Sequence, residues 1–337
     1  MPIGARATAR RGAPTRRKKV PGLAAALIAL VEDEVAGDPC TRRRWIRRSL
    51  TKLQRALARA GYRVSRATIR RLLQDRGIRP KTNVKRLAPR QHVDRDRQFR
   101  YIRAQRRRFA THGWPVLSVD CKKKELIGPF KYPGRVWCRT APAVYATDFP
   151  GDALCKATPY GIYDVGANTG HVYVGTQGES TDMAVAALAH WWRHIGRHRY
   201  PTARQVLILA DGGGSNGSRV RRWKQQLQVR LADPLGLTLT VCHYPPGASK
   251  WNPIEHRLFS QISQTWAGTP LMSLQVLLEG IRRTKTATGL QVTATLFTRR
   301  FPKGVKVTAR EMASLAITKH VTCPQWNYTI EPHLSGK

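Results

Sequence analysis

Three acidic residues stand where the pattern of this chain could turn them to chemistry. Asp120 closes the apolar run V-L-S-V-D, Asp211 follows Q-V-L-I-L-A, and Glu255 lies in N-P-I-E at the start of an amphipathic stretch. Carboxylates are scarce here, 20 Asp and Glu against 60 Lys and Arg, for a formal net charge of +40. An acid that ends a buried strand sits at the carboxyl edge of a sheet, where α/β proteins gather their sites. Three hard oxygen donors from separate elements suit Mg²⁺ or Mn²⁺, which binds substrate phosphate while keeping several waters. Two such ions about 3.5–4 Å apart would activate a water or 3′-hydroxyl and stabilise the leaving oxygen of an in-line displacement.

Each acid also has a bland reading. Glu255 falls in a first helical turn, where the helix dipole favours negative charge whatever the function. Asp148, Asp164 and Asp182 compete for the same role. Asp164 reads as a hairpin-edge residue and Asp182 as a first-turn acid, both structural. Gly212–Gly214 lack the lysine-serine spacing of a nucleotide-triphosphate loop, so they read as a tight turn that lets a strand of DNA approach Asp211. His243 and His256 have no further ligand at zinc spacing. Lys250 and Arg257 would meet phosphates or balance the acids, and Trp251 would stack on a base or pack inward.

Positioning these residues takes a sheet. Val116–Asp120, 161–165, 171–175, Gln205–Ala210 and 237–241 read as strands, the second and third as a hairpin. Helices are expected over 183–195, 218–232 and 274–284, and from Ile254 onward, where Ile254, Leu258, Phe259 and Ile262 share one face. The order β-β-β-α-β-α-β-α predicts a mixed five-stranded α/β sheet.

The positive charge is concentrated at the front. Residues 1–110 hold 32 Lys and Arg against 7 Asp and Glu, a net of +25, which points to a polyanion. Residues 1–20 read as a disordered basic tail. Helices follow from Pro21, over 50–60 and over 66–76, the last capped by Ser65. The two later helices, joined by Gly61-Tyr62-Arg63-Val64, match a helix-turn-helix. Its second helix would present Arg66, Thr68, Arg70 and Arg71 to base edges in the major groove of double-stranded DNA. This gives an all-α DNA-binding domain over 21–80, a basic linker and helix over 81–112, a catalytic domain over 113–290 and a C-terminal extension over 291–337. The six cysteines are scattered without a C-x-x-C pair, which fits a reducing, cytoplasmic setting. No apolar run is long enough to span a membrane.

Four segments carry a resemblance: S-V-D-C-K-K-K-E (118–125), T-P-Y-G-I-Y-D (158–164), L-A-D-G-G-G-S-N-G (209–217) and H-Y-P-P-G-A-S-K-W-N-P-I-E-H-R-L-F-S (243–260). Together the chain resembles the Rhodopirellula-type DDE transposases of bacterial insertion sequences. The resemblance implies a ribonuclease H-like catalytic domain with Asp120, Asp211 and Glu255 as a triad holding two Mg²⁺ or Mn²⁺ ions. It implies strand cleavage and transfer at element ends and target DNA, by a homo-oligomer associated with the nucleoid. A transposase-derived DNA-binding protein without transposition activity is the alternative.

The charge distribution sets the first test. A fragment of residues 1–110 is expected to bind duplex DNA with a log–log salt slope of about −0.9 per phosphate contacted. Arg70→Ala should relax sequence preference, whereas Arg16→Ala should weaken all sequences alike. Binding that ignores salt, or shows no preference for element ends, would remove the recognition-helix assignment.

Overall fold

Residues 20–32, 35–37, 44–46, 49–80 and 92–333 are described by a computed structural model. The expected basic tail lies outside them except for Val20, as does most of the linker, 81–91. The chain divides into two units, Met1–Leu87 and Ala88–Lys337.

In the first unit, α1 (Leu23–Glu32), α2 (Leu50–Arg59) and α3 (Arg66–Asp75) enclose a small core of Leu27, Leu53, Leu57 and Ile69, with Leu23, Val31 and Leu73 at its margin. Ser65 caps α3 as expected, accepting the Thr68 amide at 3.2 Å, and Ser49 caps α2 in the same way, accepting the Lys52 amide at 3.3 Å. Gly61, at φ +84°, takes the left-handed conformation that ends α2. The unit is not all helical as expected, because β1 (Val35–Gly37) pairs antiparallel with β2 (Arg44–Ile46) between the first two helices.

The second unit opens with α4 (Arg95–Thr111), whose Ile102 and Phe109 pack against Val116, Leu207 and Leu209. This helix thus belongs to the same body as the sheet. The strands are β3 (Val116–Cys121), β4 (Glu125–Ile127), β5 (Cys155–Asp164), β6 (Thr169–Gly175), β7 (Gln205–Ala210), β8 (Thr238–His243), β9 (Gln291–Phe297), β10 (Ile317–Lys319) and β11 (Asn327–Ile330). They form one mixed sheet of nine strands in the order β10-β11-β8-β7-β3-β5-β6-β9, with β4 paired to β5. The five expected strands are contiguous at its centre. The count was short because the three strands from 291 onward join the sheet instead of forming a separate extension, and because β4 is only three residues long.

Alternation along the strands assigns the two faces. Leu117, Val119, Tyr160, Ile162 and Ile208 pack under α5 (Thr181–Trp191) and α7 (Arg221–Leu227). Tyr163, Val172 and Val174 face the segment that carries Glu255, together with α10 (Leu274–Arg282). The remaining helices are short: α6 (Arg197–Arg199), α8 (Asp233–Leu235), α9 (Ser260–Thr265) and α11 (Ala309–Ala313). The helices expected over 183–195 and 218–232 each continue through a π-helical turn, over Trp192–Gly196 and Gln228–Ala232. No helix among the described residues is long and apolar enough to cross a membrane.

Two glycines decide how close the Glu255 segment comes to the sheet. A Cβ on Gly161 would lie 2.6 Å from Phe259 and 2.8 Å from Ile254, and one on Gly170 would collide with Leu258. Gly161→Ala is therefore expected to force this segment outward and to destabilise the unit by about 1–3 kcal/mol, the usual cost of overpacking. Urea unfolding checks it: an unchanged midpoint would mean that the segment is not seated as described.

Candidate functional site: four acids on one edge of the sheet

Strand register brings the first two acids level. Val116 pairs with Leu207 in the parallel β3–β7 ladder, an offset of 91 residues, and the same offset separates Asp120 from Asp211. Asp120, the fifth residue of β3, is 8% exposed, and its Oδ1 accepts the Cys121 amide at 2.7 Å. Asp211 leaves the end of β7 and accepts the Gly213 amide at 3.3 Å. Its own carbonyl accepts from His243 Nδ1 at 2.9 Å. Burial, opposed by that hydrogen bond, brings the His243 pKa down to about 4. The ring is thus neutral, and its Nε2 is left to accept from the Tyr328 hydroxyl at 3.3 Å.

Glu255 is set by a polar clamp. Ser118 lies two residues before Asp120 and so on the same face of β3. Its hydroxyl donates to Asn252 Oδ1 and accepts the Ile254 amide at 3.0 Å. Asn252 Nδ2 donates to the Val119 carbonyl at 3.1 Å. Ser118 and Asn252 are both fully buried, and they join the first acid's strand to the third acid's turn. From Glu255 to Phe259 the chain makes a π-helical turn before α9, a form found frequently at functional sites. The expected apolar face holds: Ile254, Leu258, Phe259 and Ile262 are all buried.

The electrostatics couple the three acids. Burial first, then the Asp211 and Glu255 carboxylates, push the Asp120 carboxyl up to about 8 against the Cys121 hydrogen bond. Asp211 is also raised, by burial and by the charges of Glu179 and Glu255. Glu179, which the sequence reading passed over, accepts the Ser215 amide and so borders the Asp211 loop. Among the described residues none of these four acids has an ion-pair partner. The competing acids differ. Asp164 is fully buried against Arg199 at 3.3 Å and the Tyr200 hydroxyl at 2.9 Å. Asp182 holds Arg222 at 2.6 and 3.1 Å, and Asp148 is exposed. The structural readings of Asp164 and Asp182 fit these environments.

For a divalent cation the donor chemistry fits, since neighbouring carboxylates raise the pKa of both Asp120 and Asp211 and no ion pair among the described residues compensates the cluster. The side chains as placed do not close on one point: among the described residues no three His, Cys, Asp or Glu form a finished metal-holding group. Lys250 and Arg257 are exposed on the Glu255 side of this unit. Trp251 is 52% exposed, 6.1 Å edge-on to Phe99 and 5.6 Å from the Lys250 ammonium, so it is not a core residue. In the other unit Arg66, Arg70 and Arg71 are exposed on α3, while the half-buried Thr68 shares a 3.0 Å hydrogen bond with the capping Ser65 hydroxyl.

The family model of the Rhodopirellula transposase DDE domain matches residues 26–332. The chain belongs to this transposase family. No curated protein matches it. Among solved structures it is similar to the Mos1 transposase paired-end complex with left transposon end, at 16% identity and a TM-score of 0.40, covering 81% of this chain and 72% of that one. It is also similar to the mariner Mos1 paired-end complex with Mg, at 14% identity and a TM-score of 0.42 over the same shares. The Mos1 mariner paired-end complex with Mn gives 15%, 0.39, 82% and 79%.

The acid cluster predicts a pH dependence. The folded pKa of Asp120 is raised to about 8, above the unfolded value, so the folded state binds the extra proton. Stability of the metal-free transposase should accordingly fall as pH rises between about 4 and 8 and then level off. In urea unfolding with a chelator present, Asp120→Asn should remove most of this slope and be more stable than wild type at pH 8.5. A wild-type midpoint independent of pH over that range would contradict the cluster.

Proposed function

We propose that this transposase cuts and joins DNA by divalent-metal-assisted phosphoryl transfer, with Asp120, Asp211 and Glu255 as its catalytic acids. The observation that carries the reading is that Asp120 and Asp211 are both raised in pKa by neighbouring carboxylates, Glu255 among them, with no ion-pair partner for any of the three among the described residues, while Asp164 and Asp182 are ion-paired. The family's own designation as a DDE transposase domain agrees with it. In this reading the large unit is a ribonuclease H-like domain, in keeping with its mixed sheet and with helices on both faces.

Asp120, Asp211 and Glu255 would hold one or two Mg²⁺ or Mn²⁺ ions, which when bound supply an activated water or 3′-hydroxyl and charge for the leaving oxygen. The chain's own contribution is placement. Register sets two acids level, the Ser118–Asn252 clamp fixes the third, and neutral His243 secures the Asp211 backbone. Lys250 and Arg257 would take DNA phosphates, and the exposed face of Trp251 would stack on an unpaired base. The first unit would read the element ends through α3, with Arg66, Arg70 and Arg71 reaching bases. Thr68, engaged with Ser65, would act there by holding the helix start. An active homo-oligomer would bring two ends together.

The test uses full-length protein, Mg²⁺ and labelled DNA carrying the sequences that flank the coding region. Asp120→Ala, Asp211→Ala and Glu255→Ala should each lower cleavage and joining by more than ~100-fold, since even outer partners of a metal typically cost 10–100-fold. Their losses should not add, because they act through shared ions. DNA binding should persist in all three, and Asp182→Ala should keep its activity if folded. Ca²⁺, larger and looser in coordination, should support assembly more than chemistry. A Glu255→Ala protein that cuts and joins at the normal rate would reduce that residue to a helix-start acid.

A further inference from the structure

Beside the acids, on the far side of Glu179, the large unit has a cavity of about 470 Å³. Lys124, Ser180, Thr181, Ser215 and Lys303 line it together with Glu179. Two ammonium groups converge at its wall: a Cβ on Gly178 would lie 3.1 Å from Lys303 Nζ and 3.8 Å from Lys124 Nζ. Among the described residues neither lysine has a carboxylate partner. Among the described residues Lys303 donates only to the Gln177 carbonyl. The third cation at the cavity, Arg222, is already spent on Asp182.

The backbone adds to the same field. Ser180 precedes α5, but its hydroxyl donates to the Pro302 carbonyl at 2.8 Å and does not cap the helix. The first-turn amides of this eleven-residue helix are therefore free of a side-chain acceptor, and its positive end faces the cavity. Ser215, also in the lining, is buried, and its hydroxyl has no partner in the protein. Two ammonium groups without a carboxylate partner, an uncapped helix start and an orphan hydroxyl suit a tetrahedral oxyanion. Two carboxylates also line the cavity: Asp182 is paired with Arg222, and Glu179 is engaged with the Ser215 amide.

The Asp211 loop shows which oxyanion. Asp211 and Ser215 are four residues apart on one tight turn through Gly214, whose φ is +66° and where a Cβ would lie 2.5 Å from Glu179 Oε1. One end of this turn belongs to the acids and the other to the cavity. We infer that the cavity holds a backbone phosphate of the DNA strand whose neighbouring phosphodiester lies at the acids, with Lys124 and Lys303 as its positioning residues. The inference rests on the DNA-cutting role proposed above, and it adds a second grip that sets which bond is presented.

The experiment is a binding cycle on the full chain in an Asp120→Asn background, so that no cleavage is needed for the readout. Element-end duplexes carry a single neutral methylphosphonate, moved one position at a time around the cut. At one position the neutral linkage should weaken binding about fivefold with both lysines present and have no effect in Lys124→Gln/Lys303→Gln. A charge-matched pair on exposed lysines elsewhere, Lys285→Gln/Lys319→Gln, should keep the sensitivity. Ser215→Ala removes a hydroxyl that bonds to nothing in the protein, so it should leave the unfolding midpoint in place while reducing the sensitivity at the same position. Equal sensitivity in the lysine pair and its parent overturns the proposal. So does a result in which millimolar inorganic phosphate stabilises the protein through these lysines but no linkage position couples to them, since the cavity would then be a free-anion site. If wild type never cuts but the cycle shows coupling, the chemical reading fails and the phosphate site stands.

Discussion

The acid site depends on a hydrogen-bonded knot that contains no acid. Ser118 and Asn252, both buried, share a hydrogen bond and reach across to the Ile254 amide and the Val119 carbonyl. Apolar packing alone would hold the Glu255 segment against the sheet through Ile254, Leu258 and Phe259, but dispersion has no direction and would tolerate a slide. A buried polar group left without its partner costs about 1–3 kcal/mol. Any slide of the Glu255 turn along β3 would break three such bonds together. The clamp thus converts a hydrophobic seat into a defined position. Gly161 and Gly170 make the seat possible by letting the segment come in to a distance no side chain there would allow.

Positioning has an energetic counterpart. Asp120 and Asp211 are held in an environment that raises both pKa values, in a chain with a formal net charge of +40. Cations are abundant, yet Arg199 and Arg222 are committed to Asp164 and Asp182. The two uses of carboxylate are opposite. Asp164 and Asp182 are neutralised and fasten the hairpin turn and α5 to their neighbours, whereas the cluster is left with its repulsion unrelieved. Such a trade of stability for function is the usual mark of a site, and it separates acids that look alike in the sequence.

Much of this was legible before the structure. The three acids could be picked out because each ended an apolar run or opened an amphipathic one, and the five central strands and the buried face of the Glu255 segment followed from periodicity. Glu179 was not visible, since it lies in a loop between β6 and α5 with no apolar run to mark it. Ser118 and Asn252 were inside quoted motifs, but a small polar residue in a strand gives no sign of being buried, and its partner is more than 130 residues away. The last two strands were lost for a related reason. β10 and β11 have three and four residues, too few for alternation to register, and only pairing with longer strands makes them strands at all. The ribbon β1–β2 escaped in the same way.

Those late strands are part of the support for the second acid. β11 pairs with β8 from Asn327–Cys242 to Ile330–Leu239, which brings Tyr328 beside His243 at the point where His243 grips the Asp211 carbonyl. Gln98 of α4 closes the arrangement from the other direction, donating to the His243 carbonyl at 2.8 Å and exchanging hydrogen bonds with the Asn327 amide group. A histidine that carried charge here could not accept from Tyr328, so the burial that keeps His243 neutral also preserves the relay of donors toward Asp211. Residues from α4 and β11 therefore hold His243 of β8, which in turn holds the Asp211 carbonyl. The backbone is the right target, because fixing Asp211 through its carbonyl leaves both carboxylate oxygens free of that support. Ser118 and Asn252 do the same for Glu255 through the Ile254 amide. Both acids are aimed by bonds to main chain, and their side chains stay available to whatever the site binds.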